Sequence, residues 1–315
     1  MTQAQAQSPG LSRSLVPIVV LTLVWGCNWP ILKLGVTEMP PLTFRVYTLL
    51  FAGLGLLAVA KISGQSIRLP RATWPVVFVL AFLNITTWNG LVLFGVQQMP
   101  AGRSAILAYT MPVWGTLVSL WLLHEPLSKR KILGLALGMA GMAVLLGDDF
   151  TALRGSPFGA LMILGAAIAW AFGTVLLRKW KPQVPPTTLT AWMMLIGWMP
   201  IALLAPILDP AWLSAIPQLS GTAWFAILYN ILLAGTLAHW AWFTLARTLP
   251  VAVSSMSSLP VPVVGVFGGI LVLGERPGTA EWVALVLVVA ALVAVLWPDR
   301  SATEPSSAAP PAPDD

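Results

Sequence analysis

Residues 74–125 read WPVVFVLAFLNITTWNGLVLFGVQQMPAGRSAILAYTMPVWGTLVSLWLLHE. The landmarks of this stretch recur in the same order 150 positions later, so the chain contains two copies of one unit. Because both copies are almost entirely apolar, the duplication is typical of membrane proteins built from two structural repeats. The matched pairs are Trp74 and Trp224, Thr86 and Thr236, Pro100 and Pro250, Ser104 and Ser254, Pro112 and Pro262, and Glu125 and Glu275.

The composition indicates a bilayer environment. Hydrophobic residues make up 57% of the 315 residues and charged residues only 9%, against roughly 25% charged in an ordinary soluble domain. Windows of about 19 residues identify apolar runs long enough to cross a bilayer. The sequence therefore predicts an all-α, polytopic membrane protein with ten transmembrane helices. The predicted spans are about 15–35, 41–61, 73–96, 101–123, 131–147, 157–178, 187–208, 221–245, 251–273 and 279–297.

The count of spans also fixes how the two copies are related. Each copy holds five predicted helices, and an odd number makes the second copy enter the bilayer from the opposite side. The sequence therefore predicts two inverted five-helix repeats, at 15–147 and 157–297. The flanking segments 1–14 and 298–315 are predicted to be cytoplasmic tails, the second of them disordered because of its low apolar content.

The distribution of basic residues predicts the orientation. If the N-terminus is cytoplasmic, most of the 17 Lys and Arg residues fall in cytoplasmic segments, as the positive-inside rule requires. Both termini are therefore predicted on the cytoplasmic side of the inner membrane. Contact with anionic lipid headgroups accounts for the net charge of +6. No basic stripe on a soluble domain indicates nucleic-acid binding.

Several short motifs occur in a recognisable order. They are Leu23-Val24-Trp25-Gly26 with Lys33 in the first helix, Phe44-Arg45 in the second, Pro112 in the fourth, and His124-Glu125-Pro126-Leu127 leading to Gly134. Taken together, this order resembles the drug/metabolite transporter superfamily and, within it, the EamA-type exporters. The resemblance covers roughly residues 15–297. It implies a ten-helix inverted-repeat carrier that exports small metabolites, often amino acids, with the aromatic amino acid exporters as one branch.

The second half departs from this pattern at two places. Gly274-Glu275-Arg276-Pro277 places its proline one position later than the first half does, and Arg178 stands where the first half has Lys33. These differences leave the predicted fold intact. They argue against symmetric roles for the paired residues.

Polar and aromatic side chains at i, i+3 and i+4 predict the helix faces that line a pathway, because polar groups in hydrocarbon favour the bundle interior or a wet cavity. Such faces could bind a zwitterion through hydrogen bonds and an apolar side chain through aromatic walls. Small polar residues at this spacing are also ordinary helix-packing surface, and for the serines both interpretations stay open. The predicted substrate-binding residues are Trp25, Asn28, Trp29, Asn84, Trp88, Tyr109, Trp170, His239, Trp240, Ser254 and Ser258.

Few titratable groups lie inside the predicted spans. His239 is a candidate proton-coupling residue, with a neutral, hydrogen-bonded histidine as the alternative. Its counterpart in the first copy is Asn89, which cannot carry a proton. Lys33 and Arg45 lie near predicted outer helix ends, where they either extend to the headgroups or attract a substrate carboxylate.

The paired prolines are predicted to have a role in motion, and the paired glutamates a role in structure. Pro112 and Pro262 each lie about 18 Å along a helix from the preceding landmark proline, so they are predicted as gating points for bending, with static kinks as the alternative. Glu125 and Glu275 fall at helix ends by the membrane edge. We expect these glutamates to have a structural, capping role.

The chain lacks the sequence motifs by which several common enzyme classes are recognised. It contains no Gly-rich phosphate loop with Lys-Ser/Thr, no HExxH and no GxSxG, and its single cysteine, Cys27, excludes an internal disulfide. The sequence predicts a secondary transporter without cofactor or metal that exports neutral or aromatic amino acids, with the bilayer and a small solute as its partners and no obligatory protein partner. The alternatives are a broad exporter of drugs or amphipathic metabolites, an intramembrane lipid-modifying enzyme using Asp148-Asp149, and a passive channel.

Overall fold

The computed structural model describes residues 11–125, 127–152, 156–209, 218–242 and 260–296. Within these ranges the chain forms ten helical stretches. They are α1 (Leu11–Glu38), α2 (Pro41–Ile62), α3 (Arg71–Gln98), α4 (Ala101–Leu123), α5 (Lys129–Ala152), α6 (Pro157–Trp180), α7 (Pro186–Leu208), α8 (Gly221–Trp242), α9 (Val261–Leu273) and α10 (Thr279–Leu296).

The lengths of these helices match a membrane protein. Among the described residues, eight helices are long and apolar enough to cross a bilayer, α1 counting from residue 18, and α9 and α10 are shorter apolar helices. Each predicted span coincides with one of the ten stretches, the ninth being described only from residue 260 onward. The prediction of an all-α polytopic fold is confirmed. The predicted tails at 1–14 and 298–315 lie largely or wholly outside the described residues.

The contacts between helices are symmetric with respect to the two copies of the repeat. α2 packs along α7, and α5 packs along α10. α3 packs on α6 as α8 packs on α1, and α4 packs on α6 as α9 packs on α1. Exchanging α1–α5 with α6–α10 leaves the α2–α7 and α5–α10 contacts unchanged, and it converts the α3–α6 contact into α8–α1 and the α4–α6 contact into α9–α1. The fold is therefore a pair of five-helix repeats, as the recurrence of residues 74–125 predicts.

Both copies interrupt their third helix at the same place. α3 is π-helical over Phe82–Thr87, and α8 is π-helical over Tyr229–Leu237. The paired threonines lie in these stretches, and each uses its hydroxyl to donate to a backbone carbonyl: Thr86 to Gly197 at 2.9 Å and Thr236 to Ile231 at 2.8 Å. Short π-helical stretches are frequent at functional sites.

The paired prolines lie at helix starts. α4 consists of Ala101–Ala108 and Met111–Leu123, and Pro112 occupies the first turn of the second segment. Pro262 occupies the first turn of α9. A proline in the first turn sacrifices no helical hydrogen bond, because its N–H would be unpaired there anyway. The break in α4 therefore precedes Pro112, and the gating role of both prolines stays a prediction.

Charged side chains tie helices together at the end of the bundle where α1 stops, here called the Glu38 end. Lys33 donates its ammonium group to the carbonyl oxygens of Val96, Gln97 and Met99 at 2.7, 2.8 and 3.1 Å. It therefore caps the C-terminus of α3, where a cation is favourable. The ammonium group of Lys33 thus bonds to the end of α3, whereas one prediction has it extend to the lipid headgroups.

The two landmark glutamates have different partners. Glu275 accepts from the backbone N–H groups of Ala101 and Gly102 at 2.6 and 3.0 Å, so it caps α4 from the other repeat. At the opposite end of the bundle, Glu125 contacts Arg178 at 2.6 Å and Lys131 at 3.4 Å. Both glutamates thus make structural contacts, but only the contacts of Glu275 are a helix cap.

A close approach between α7 and α3 gives a first testable prediction. A Cβ atom at Gly197 would lie 2.6 Å from Cβ of Ile85 and 3.0 Å from the carbonyl oxygen of Ala81. We expect Gly197→Ala to lower the melting temperature of the detergent-purified protein, since overpacking costs about 1–3 kcal/mol. Gly115→Ala in α4 is the control, because among the described residues no atom beyond its chain neighbours and the nearby backbone of its own helix lies within 4 Å of its Cβ position. Equal melting temperatures for the two variants would contradict the packing described here.

Candidate functional site

A central cavity of about 150 Å³ lies between the two repeats, where α1, α2, α3, α4, α6, α7 and α8 meet. An engineered cavity of about this volume in a protein core holds benzene. The wall combines apolar side chains with polar and aromatic ones. The polar and aromatic lining consists of Trp25, Asn28, Trp29, Arg45, Asn84, Trp88, Asn89, Tyr109, Trp170, Asn230 and His239.

Most of the predicted substrate-binding residues meet at this cavity. Trp240 does not: it is 42% exposed and absent from the lining. Successive residues of a helix point about 100° apart, so Trp240 is directed to a different side of α8 from His239, which faces the cavity. Ser254 and Ser258 lie outside the described residues. The predicted residues that line the cavity are Trp25, Asn28, Trp29, Asn84, Trp88, Tyr109, Trp170 and His239.

One aromatic wall joins α6 to α3. The rings of Trp170 and Trp88 lie 4.9 Å apart at 54°. The side-chain amide of Asn84 donates to the backbone carbonyl of Trp170 at 3.1 Å. A methyl group at Gly173 would overlap the Asn84 amide, so glycine at that position lets the two helices come close enough for this bond.

The other wall repeats the arrangement with the copies exchanged. Trp25 of α1 donates its indole N–H to the carbonyl of Ala234 in α8 at 3.2 Å, and its ring meets that of His239 edge-on at 5.4 Å. Position 234 is the counterpart of Asn84, 150 residues on. Each repeat thus contributes a tryptophan that is held against the π-helical stretch of the other repeat. The cavity lies between these two contacts.

The bonding of His239 determines which ring nitrogen is available. Its Nδ1 lies 3.0 Å from the carbonyl oxygen of Ala234. Because a carbonyl can only accept, Nδ1 carries the hydrogen and Nε2 is left as the acceptor of the neutral ring. The counterpart Asn89 makes a similar bond, from its amide to the carbonyl of Ile85 at 2.8 Å. A proton taken up by His239 would therefore be held at Nε2.

Three polar residues of the lining, Arg45, Asn89 and Asn230, were not among the predicted substrate-binding residues. Arg45 of α2 is only 7% exposed and lines the cavity, and Asn230 of α8 is 3% exposed. An arginine or asparagine inside an apolar span is itself a signal for a functional position. The sequence predicts Arg45 at an outer helix end, and it does not single out Asn230, which has no polar residue three or four positions away on its own helix.

The predicted gating residues lie outside the cavity lining. Pro112 is not part of the lining, but the preceding residue Met111 is. Pro262 is buried and also absent from the lining. Neither proline contributes to the cavity surface in this conformation.

A solute-sized, partly polar cavity at the interface of two repeats in a helical membrane protein is the arrangement found in transporters. The EamA-like transporter family matches residues 13–147 and 157–297, and the chain belongs to that family. The resemblance seen in the sequence motifs is thereby confirmed. The protein is a multi-pass membrane transporter.

Relatives with similar sequences have consistent names. The chain is 29% identical over 287 residues to the uncharacterized transporter YvbV of Bacillus subtilis (strain 168), covering 90% of this chain and 92% of that one. It is 26% identical over 282 residues to a probable amino-acid metabolite efflux pump of Salmonella typhimurium, covering 87% and 91%. One crystal structure superposes with a TM-score of 0.64 at 20% identity, covering 90% of this chain and 97% of the other, and shows the same fold.

Proposed function

We propose that this transporter exports neutral or aromatic amino acids across the cytoplasmic membrane by alternating access through the central cavity. The observation that carries the proposal is the pairing of aromatic walls with buried hydrogen-bonding groups in one cavity at the repeat interface. Aromatic faces suit an apolar or aromatic side chain, and amides and a guanidinium suit the backbone groups of an amino acid.

The contacts at the Glu38 end support alternating access, because they join helices of the bundle at one end of the cavity. Lys33 ties α1 to α3, and Glu275 ties the end of α9 to α4. Lys33 joins two helices that line the cavity, whereas Glu275 joins α4, which lines it, to the end of α9, which does not. We propose that these two contacts close the cavity at this end. With cytoplasmic termini, as the basic residues indicate, the Glu38 end faces outward. Rocking of the two repeats would open and close it.

The name of one relative adds support for the substrate class. The Salmonella protein is described as a probable amino-acid metabolite efflux pump, and it aligns over nearly the whole chain. Aromatic and other neutral amino acids fit the cavity better than polycations, because the lining contains no described carboxylate.

Proteoliposomes test the proposal directly. We expect purified protein to carry labelled phenylalanine or tryptophan with saturable kinetics from a panel of amino acids, in the presence of an imposed pH gradient. Competition by amphipathic drugs in place of amino acids would favour the broader exporter. Failure of every amino acid in the panel to move would refute the proposed substrate class.

The pH dependence of this flux examines the role of His239. A proton on Nε2 would add positive charge to a cavity that already contains Arg45, with Tyr109 as the other titratable group in its lining. If proton binding is coupled to transport, His239→Asn is expected to abolish the pH dependence while substrate exchange continues, because the same amide is accommodated at position 89. A variant that retains the pH dependence of the wild type would rule His239 out as the coupling residue.

A further inference from the structure

Arg45 has an unusual environment for a charged side chain. It is 7% exposed, lies among the helices that surround the cavity, and donates from Nη1 to the side-chain oxygen of Asn230 at 3.2 Å. Asn230 is in turn held by its amide, which donates to the carbonyl of Ala226 at 3.0 Å. Nε of Arg45 has no hydrogen-bond partner among the described residues. The guanidinium is thus fixed on one side and unpaired on another.

The described acidic side chains do not neutralise Arg45. Each has its own partners at the ends of the helices. Glu38 bonds Ser220, Glu125 bonds Lys131 and Arg178, Asp209 bonds Thr43, Glu275 bonds the start of α4, and Glu281 bonds Arg103.

A buried cation without a counter-ion is strongly unfavourable, and a guanidinium stays charged at neutral pH. Such a group is retained where it binds an anion during function. Arginine is suited to carboxylates because two of its N–H groups can donate to the two oxygens in parallel. With Nη1 occupied by Asn230, the edge formed by Nε and Nη2 has the geometry for that bidentate contact.

We infer that Arg45, positioned by Asn230, forms the subsite that binds the carboxylate of the transported solute. This inference rests on the transport function proposed above and assigns the anionic group of its substrate to one side chain. Nε is enclosed in this conformation, so the solute reaches it by displacing the surrounding side chains.

A second unpaired atom complements this subsite. Oδ1 of Asn28 is buried, lies on a cavity-lining side chain, and has no hydrogen-bond partner among the described residues. An oxygen of this kind accepts from an ammonium group, which has three donors. A donor edge at Arg45 and an acceptor at Asn28 match the two ends of a zwitterion. The walls at Trp88 and Trp170 are then left for the substrate side chain.

Four ligands of similar size separate these contributions. They are L-phenylalanine, 3-phenylpropionate, which lacks the ammonium group, L-phenylalaninamide, which lacks the carboxylate, and 2-phenylethylamine, which lacks it as well. The measurement is the ligand concentration that gives half-maximal thermal stabilisation of the detergent-purified full-length protein. Loss of a charge-assisted hydrogen bond corresponds to about tenfold or more in affinity. We expect the wild type to bind L-phenylalanine at least about tenfold more tightly than L-phenylalaninamide.

Variants of Arg45 test whether that preference depends on its guanidinium. In Arg45→Gln the preference for the carboxylate ligands is expected to fall to about parity, and in Arg45→Lys to an intermediate value, because the charge is kept and the bidentate geometry is lost. Trp240→Ala, on the outer face of α8, should retain the wild-type preference. If Arg45→Gln does not fold, Arg45→Lys alone decides, and an unchanged ratio in it overturns the inference.

The remaining outcomes distinguish this inference from the proposed function. Stabilisation by 3-phenylpropionate without stabilisation by L-phenylalanine would leave the Arg45 subsite standing and refute the amino acid substrate. Equal stabilisation by L-phenylalanine and L-phenylalaninamide, or no stabilisation by either carboxylate, would overturn the subsite. Retention of the wild-type preference in Arg45→Gln would overturn it as well.

Discussion

Trp170→Ala is expected to reduce transport of L-phenylalanine at least about tenfold, which corresponds to roughly 1.4 kcal/mol. The Trp170 ring forms one wall of the cavity and lies 4.9 Å from the Trp88 ring. An aromatic substrate that packs on this wall loses both contact area and a ring–ring interaction, the latter alone worth about 0.5–1.5 kcal/mol. The bond from Asn84 is kept, because it ends on the backbone carbonyl of Trp170. The amount of protein in the membrane should therefore be unchanged.

Trp240→Ala is the matched control for this experiment. It removes the same side chain from a position that is 42% exposed and outside the cavity lining. We expect transport by this variant to stay close to that of the wild type. A similar loss of flux in both variants, or unchanged flux in Trp170→Ala, would contradict the assignment of the cavity as the substrate site.

The second large effect is expected for Glu275→Ala. The carboxylate accepts from two backbone N–H groups in the first turn of α4, at Ala101 and Gly102, and both residues are buried. Hydrogen bonds to a charged group contribute about 1.5–3 kcal/mol each, and N–H groups left unpaired add a desolvation cost. We expect a loss of about 3 kcal/mol or more in stability, measured as a lower melting temperature of the purified protein.

The duplicated position supplies the control for Glu275. Glu125 bonds to Arg178, whose side chain is 57% exposed, and to Lys131. Exposed ion pairs of this kind contribute only about 0–1 kcal/mol. Glu125→Ala should therefore destabilise the protein far less than Glu275→Ala does. Equal effects of the two substitutions would show that the bond from Glu275 to α4 is not an important contact between the repeats.

The fold could be predicted from the sequence because two independent patterns agree. The recurrence of Pro100, Pro112 and Glu125 as Pro250, Pro262 and Glu275 identifies the duplication, and long apolar runs identify the spans. Both patterns are local or depend on simple spacing. The exchange symmetry of the helix packing then follows from the duplication itself.

Part of the cavity could be predicted for a similar reason. Trp25, Asn28 and Trp29 recur at helical spacing, and all three line the cavity. Arg45 lies in the second turn of α2, and its inward direction depends on how α2 is rotated against α8, which one sequence does not specify. The cap at Lys33 likewise depends on the distant end of α3. Neighbouring residues such as His239 and Trp240 share one local sequence, yet the helix directs them to different environments.

In alternating access, the cavity between the repeats is exposed to each side of the membrane in turn while it carries a solute. The most direct measurement is the entry of labelled L-phenylalanine into proteoliposomes with and without unlabelled L-phenylalanine inside. Alternating access predicts saturable entry that is accelerated by the internal substrate, and loss of this exchange in Trp170→Ala. Entry that rises linearly with concentration and does not depend on internal substrate would indicate a channel and refute alternating access, as would lipid turnover without any flux.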